Sequence, residues 1–307
     1  MIVSEEIENK EIAKQYKKLL QISYQTLSNN DKRLIRSAFD TAVDAHRNQR
    51  RKSGEPYVLH PISVAKIVAQ EIGLDATSIA AALLHDVIED TDYSFEDIEK
   101  LFGTDVSRIV EGLTKISKMS KEGNVSLQAE NFRKLLLTVN DDVRVIIIKI
   151  ADRLHNMQTL DVMPEHKQVK TASETLYIYA PLSHRIGLYN IKTELEDLSF
   201  KYTESDRYLS IKNKIEDSRE SQDEYIRSFS EIVQFALAEE GLEYQIKGRS
   251  KSIFSINRKM TMQNIPFENV FDKFAIRIIY SATHRNEKFL AWKIYSIITD
   301  HFIPNPT

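Results

Sequence analysis

The stretch Ala81-Ala82-Leu83-Leu84-His85-Asp86-Val87-Ile88-Glu89-Asp90 decides how this chain is read. From Ile79 to Ile88 apolar residues dominate at helical spacing, so the segment is expected to form a helix buried among others. Four polar side chains interrupt or adjoin it. Desolvating them without a partner would be costly, and a bound cation supplies a partner. On a continuous helix His85 lies one turn beneath Glu89 and Asp86 one turn beneath Asp90, which makes a polar ridge.

Two distant segments carry matching chemistry. His60 follows Pro56-Tyr57-Val58-Leu59 and precedes Pro61, at a helix start. Asp152 opens the group Asp152-Arg153-Leu154-His155-Asn156, directly after the largely apolar run Val143 to Ala151. A single buried His or Asp is more often a hydrogen-bonded core or capping residue. Two histidines and two aspartates from three separated segments instead make a mixed nitrogen and oxygen shell with open positions for water. Imidazole favours transition metals and carboxylate suits manganese, so Mn or Fe ranks above Ca. His155 reads as a hydrogen-bonded neighbour of the ligands rather than a fifth ligand.

The chain has 307 residues, enough for two domains. Its 42 basic and 45 acidic residues nearly cancel, giving a formal charge of −3, so broad electrostatic capture of nucleic acid is not expected. Cysteine is absent, which removes disulfides and thiolate metal sites and fits a reducing compartment. The acidic N-terminus MIVSEEIENKEIAK lacks the apolar core of a signal peptide, and no run reaches the length of a membrane span. A soluble, cytoplasmic protein without membrane partners is expected.

From about Ile12 to Tyr202 the periodicity is helical almost throughout, which predicts a mainly α domain over residues 1–203. Its predicted breaks are a turn at Ser53-Gly54-Glu55-Pro56, glycine ends at Gly73 and Gly103, a polar loop at Lys121-Glu122-Gly123-Asn124, and a cap at Asn29-Asn30-Asp31. Residues 204–240 form a charged, weakly apolar stretch, expected to be one solvated linking helix. Beyond Gly241 the period changes. Leu242, Tyr244 and Ile246 alternate as in a strand, Ile253 to Met260 suits a helix, Phe274 to Tyr280 is β-branched, and a helix is predicted from Glu287 to Phe302. Residues 241–307 therefore predict part of an α/β domain, since two strands alone make an unconvincing sheet.

With these residues assembled, the chain resembles the HD superfamily of metal-dependent phosphohydrolases. More narrowly, it resembles the N-terminal half of bifunctional RelA/SpoT homologues, which make and destroy the alarmone (p)ppGpp. The resemblance rests on Arg51-Lys52-Ser53-Gly54-Glu55-Pro56-Tyr57 through His60-Pro61, then LLHDVIEDT from Leu83, IKIADRLHNMQTL from Ile148, and ETLYIYAPLSHRIGLYNIKTELEDLSFKY from Glu174. The segment Lys247-Gly248-Arg249-Ser250-Lys251-Ser252-Ile253-Phe254-Ser255-Ile256 resembles the family's nucleotide-binding entrance to a nucleotidyltransferase-like synthetase domain, with serines and a phenylalanine at Ser250, Ser252 and Phe254 where the family has proline, histidine and tyrosine.

The resemblance implies Mn2+ held by His60, His85, Asp86 and Asp152, with Glu89 and Asp90 orienting the attacking water or taking its proton. It implies that Arg51, Lys52 and Ser53 contact the nucleotide and that Asn156 and Thr159 line its pocket. The run Arg50-Arg51-Lys52, taken without the resemblance, is the composition of a solvated loop. In the synthetase segment it implies roles for Lys247, Arg249, Lys251, Lys259 and a Mg2+-binding Asp272, with ATP and GDP or GTP as partners in the full-length protein. The second acidic residue and the tyrosine-bearing loop of that family lie past Thr307, so neither synthesis nor ribosome contact is expected of this chain. The implied activity is hydrolysis of the 3′-pyrophosphate of (p)ppGpp. The alternatives are a non-catalytic nucleotide-binding regulatory module and an HD phosphohydrolase acting on another nucleotide.

Overall fold

The computed structural model describes residues 2–23, 27–121, 142–238 and 243–303, and it divides into two compact units, Met1–Thr203 and Glu204–Thr307. In the first unit, in chain order, lie α1 (Ile2–Ser23), α2 (Asn29–Ala45), α3 (Leu59–Ile67), α4 (Ala76–Leu84), α5 (Val87–Asp90), α6 (Phe95–Phe102), α7 (Thr104–Lys121) and α8 (Val143–Gln158). They are followed by α9 (Glu165–Glu174), α10 (Ala180–Arg185) and α11 (Tyr189–Thr203). No described helix is long and apolar enough to cross a membrane.

The hub is α4. All six residues from Ile79 to Leu84 are buried, so the helix is apolar all round and packs on α2, α3 and α7 at once. Its start is set by Asp75, whose carboxylate accepts from the Ser78 amide at 3.0 Å. Ahead of it, Gly73 takes φ 77° to close the preceding helical turns. The cap of α2 falls one residue earlier than expected. Ser28 accepts from the Asp31 amide, while the Asp31 carboxylate accepts from the Ser28 amide, a reciprocal box in which Asp31 is the third helical residue.

The expected continuous helix through Ile88 is not formed. α4 stops at Leu84, Asp86 adopts φ −100° and ψ −7°, and a single turn, α5, follows. His85 Nδ1 bonds the Ala82 carbonyl at 2.8 Å, and such side-chain capture of a backbone acceptor competes with the helical ladder. His85 is therefore not stacked beneath Glu89 on one helix, whereas the Asp90 amide still bonds the Asp86 carbonyl at 3.0 Å. Of the polar loop predicted at Lys121–Asn124, the part from Glu122 onward lies outside the described residues.

The second unit contains α12 (Ser205–Asp217), α13 (Arg219–Ala238), β1 (Tyr244–Ser250), α14 (Ile253–Gln263), β2 (Phe274–Tyr280) and α15 (Glu287–His301). The single linking helix expected over 204–240 is two helices separated at Ser218. Both belong to this unit, because Val233 and Leu237 join Ile294 in its core and α12 packs on α14. The strands pair antiparallel, Tyr244 opposite Tyr280 through to Ser250 opposite Phe274. β2 alternates half-buried and exposed residues, which is the pattern of a sheet covered on one face.

Gly112 of α7 faces Val145 at the start of α8, where an added Cβ would fall 2.8 Å from Val145 Cγ2. Alanine normally favours a helix interior by up to about 1 kcal/mol over glycine. Here overpacking against a buried β-branched side chain outweighs that gain, so Gly112→Ala is expected to lower the stability of the first unit by about 1–3 kcal/mol. Chemical denaturation measures this, and a more stable variant would contradict the packing described.

Candidate metal centre

Three segments converge on one point. His60 lies in the first turn of α3, His85 and Asp86 form the break between α4 and α5, and Asp152 lies past the middle of α8. His60 Nε2 is 3.2 Å from Asp152 Oδ1 and 3.7 Å from Asp86 Oδ2. His85 Nε2 is 3.1 Å from Asp86 Oδ2 and 3.9 Å from Asp152 Oδ1. One ligand atom each from His60, His85 and Asp152 falls within 4.8 Å of the others, a grouping that could hold a metal ion. Both histidines are 2% exposed and Asp152 is 5% exposed.

The far sides of the two imidazoles fix which nitrogen faces inward. His85 Nδ1 donates to the Ala82 carbonyl, so in the neutral ring Nε2 carries the lone pair. That nitrogen is buried, points among carboxylates and has no hydrogen-bond partner. A lone pair set beside two carboxylates is satisfied by a cation, and the residues present fit a divalent ion on this ground. His60 Nδ1 lies 2.7 Å from His155 Nδ1, so one ring donates to the other. Burial, reinforced by His60 and Arg51, pushes His155 down to about 3, and burial pushes His60 down as well, so both rings are neutral; a metal at this centre requires the tautomer in which His60 Nδ1 donates and His155 accepts. His60 Nε2 is thereby left free for a ligand.

Asp152 is held from behind. Its Oδ2 accepts from Lys149 Nζ at 2.8 Å and its Oδ1 from Asn156 Nδ2 at 2.7 Å. Lys149 also donates to Ser117 Oγ on α7 at 2.9 Å. Burial opposes both charges, but Lys149 and the histidines more than offset this for Asp152, whose carboxyl stays well below the usual range. The Asp152 carboxylate in turn pushes Lys149 up. Burial likewise acts to raise Asp86, and His85 overrides it, keeping Asp86 ionised. For His85, burial acts downward, yet Asp86 prevails and the ring is pushed up to about 9.

Of the residues expected to meet a nucleotide, Arg51, Asn156 and Thr159 come together across more than a hundred positions. One Arg51 nitrogen donates to Asn156 Oδ1 at 3.2 Å and to Thr159 Oγ1 at 3.3 Å, which joins this trio to Asp152 through Asn156. Lys52 and Ser53 are exposed in the adjoining turn. Arg50 is committed elsewhere, paired with both oxygens of Glu8 at 2.7 and 2.9 Å. Asp90 is exposed and Glu89 half-buried. Lys149 and Tyr57 escaped the sequence reading. A lysine inside an otherwise apolar run, three residues before Asp152, was the available signal for the first.

In the second unit Asp272 accepts from Lys251 and, at 2.6 Å, from Lys259, and these hydrogen bonds hold its carboxyl down at about 2. The two lysines, with Ser255, Arg258, Met262 and Gln263, line a depression of about 260 Å³. Lys247 lies opposite Arg277 and Arg249 opposite Ala275 in the strand ladder.

The chain is similar to known proteins over the same residues. The HD domain family matches residues 38–189, a span containing all four converging residues. The chain belongs to the HD-domain family. A probable guanosine-3′,5′-bis(diphosphate) 3′-pyrophosphohydrolase of Synechocystis sp. is 44% identical over 274 residues, covering 89% of this chain and 35% of that protein. A GTP pyrophosphokinase of Myxococcus xanthus is 45% identical, covering 80% and 33%. The bifunctional (p)ppGpp synthase/hydrolase SpoT of Escherichia coli K12 is 44% identical, covering 80% and 35%. This HD-domain chain spans about a third of the length of the curated relatives it matches.

Without metal, a proton on His85 supplies the missing positive charge. The ring's folded value of about 9 lies above its ordinary 6.5, so that stabilisation is complete below pH 6.5 and is lost as pH rises through about 9. Thermal unfolding of the metal-free protein should therefore show falling stability across that window, and a divalent ion should restore it, with protons released on binding. A stability profile unchanged by metal between pH 7 and 9 would contradict this.

Proposed function

We propose that the first unit hydrolyses the 3′-pyrophosphate of (p)ppGpp, releasing GDP or GTP and pyrophosphate, with Mn2+ held by His60, His85, Asp86 and Asp152. One observation carries the reading: the buried cluster of His60, His85 and Asp152, with half-buried Asp86 beside it, adjoins the Arg51, Asn156 and Thr159 trio, a donor-rich wall suited to a nucleotide. The names of the Synechocystis and E. coli relatives support the substrate.

A divalent ion bound here lowers the pKa of a water and neutralises charge on phosphoryl oxygens. The chain's own residues do the remainder. Arg51 offers a planar set of donors to phosphate oxygens, with its orientation set by Asn156 and Thr159. Lys52 and Ser53 add a charge and a hydroxyl from the adjoining turn. Glu89 and Asp90 orient the water and take its proton, and the departing 3′-oxygen gains one, so the proton count balances. A cytoplasmic setting accords with the lack of cysteine.

For the second unit we infer contact with nucleotide phosphates through Lys247, Arg249, Lys251 and Lys259, and Mg2+ at Asp272, with ATP and GDP or GTP as the nucleotides. The lysines gathered on Asp272 and the name of the M. xanthus relative support this.

Purified protein supplied with Mn2+ should release pyrophosphate from ppGpp, and chelation should abolish turnover. Full activity after exhaustive metal removal would sink the assignment. Asp152→Ala should lose bound metal, whereas Glu89→Gln should retain it and turn over about 10²–10⁴-fold more slowly. Metal analysis beside product assay separates the two, and an emptied site in Glu89→Gln would make Glu89 a ligand instead.

A further inference from the structure

Tyr57 lies just before α3, and its hydroxyl sits between two carboxylates of different proposed roles. It is 2.7 Å from Asp86 Oδ2 and 3.2 Å from Asp90 Oδ2. A phenol has one hydrogen, so the shorter contact is the main branch of a shared bond and the longer one the minor branch. Nothing in the hydrolytic scheme above uses this residue.

From this geometry we propose that Tyr57 is a positioning residue, which fixes the Asp90 carboxylate relative to Asp86 and so aligns the proton acceptor with the metal centre. The inference rests on the hydrolase reading and deepens it. Two carboxylates four residues apart, at the cap and the last residue of α5, repel one another, and a donor between them offsets that repulsion while holding both in one orientation.

The tyrosine is itself tightly placed. Its ring packs on His46 with centroids 4.8 Å apart and meets the His60 ring edge-on at 6.0 Å. Its amide bonds the Gln49 carbonyl at 3.0 Å, and its carbonyl accepts from the His60 amide at 2.9 Å. The same loop grips the far end of α5. Buried His46 donates from Nδ1 to Gln49 Oε1 at 2.8 Å, and Gln49 Nε2 donates to the Asp90 carbonyl. Asp90 is thus held by its backbone through Gln49 and by its side chain through Tyr57, although it is exposed to solvent.

Tyr57→Phe keeps the ring and its packing and removes only the hydroxyl. In the Mn2+-loaded protein, kcat for ppGpp should fall about 10–100-fold with KM changed less than about 3-fold, the size usual for groups that orient metal-site residues. Mn2+ affinity, measured by calorimetry without substrate, should weaken several-fold through Asp86. Combined with Asp90→Asn, Tyr57→Phe should add little further loss in kcat, since the hydroxyl acts through that carboxylate. If Tyr57→Phe leaves both kcat and Mn2+ affinity within 2-fold of the parent, or if its kcat loss is fully additive with that of Asp90→Asn, the proposal is overturned. A parent protein that binds Mn2+ but leaves ppGpp intact overturns the hydrolase reading instead, and the affinity arm still tests the tie to Asp86.

Discussion

Two carboxylates, one buried and one half-buried, facing two inward imidazole nitrogens are the constraint on which the first unit turns. Asp86 and Asp152 lie within 4 Å of His60 and His85 Nε2 atoms; the two histidines and Asp152 are buried and Asp86 is half-buried. Ionised groups in such surroundings persist only when paired. Lys149 answers part of the negative charge, and a proton on His85 or a divalent ion answers the remainder. The same demand for positive charge that raises His85 fits the centre to a divalent ion.

The helical scaffold is arranged to deliver these groups. α4 is buried on every side from Ser78 to Leu84, so the break at its C-terminal end sets His85 and Asp86 against the core. α8 brings Asp152 opposite, and its approach to α7 is close enough to require glycine at position 112 and to let Lys149 reach Ser117. Behind each group that faces the centre stands a hydrogen bond: Ala82 for His85, His155 for His60, Asn156 and Lys149 for Asp152, and Tyr57 for Asp86. Such supporting contacts hold ring orientation and tautomer, on which ligand strength depends.

Much of this was legible in residue order. Polar groups inside the apolar run at His85 and Asp86, a histidine beside Pro61 and an aspartate after Val143–Ala151 were enough to bring three segments together on paper. What residue order hid was geometry. The run through Ile88 has helical periodicity, and the bond from His85 to the Ala82 carbonyl, which accompanies its interruption, is not written in that periodicity. Tyr57 looks like an ordinary half-buried aromatic until its hydroxyl is seen between Asp86 and Asp90. The charged surface of residues 204–240 concealed Val233 and Leu237, two core residues spaced one helical turn apart in a mostly polar helix. The cap of α2 was misplaced by one residue because Asn29, Asn30 and Ser28 are all competent caps, and the choice followed from Asp31 completing the box.

The central claim is that one ion is bound by both imidazoles, and pulsed electron paramagnetic resonance of the Mn2+-loaded protein tests it most directly. Two directly coordinated imidazole nitrogens should be resolved, with one lost in His60→Gln and the other in His85→Gln. A Mn2+ spectrum showing oxygen ligands alone, unchanged by either substitution, would contradict the account.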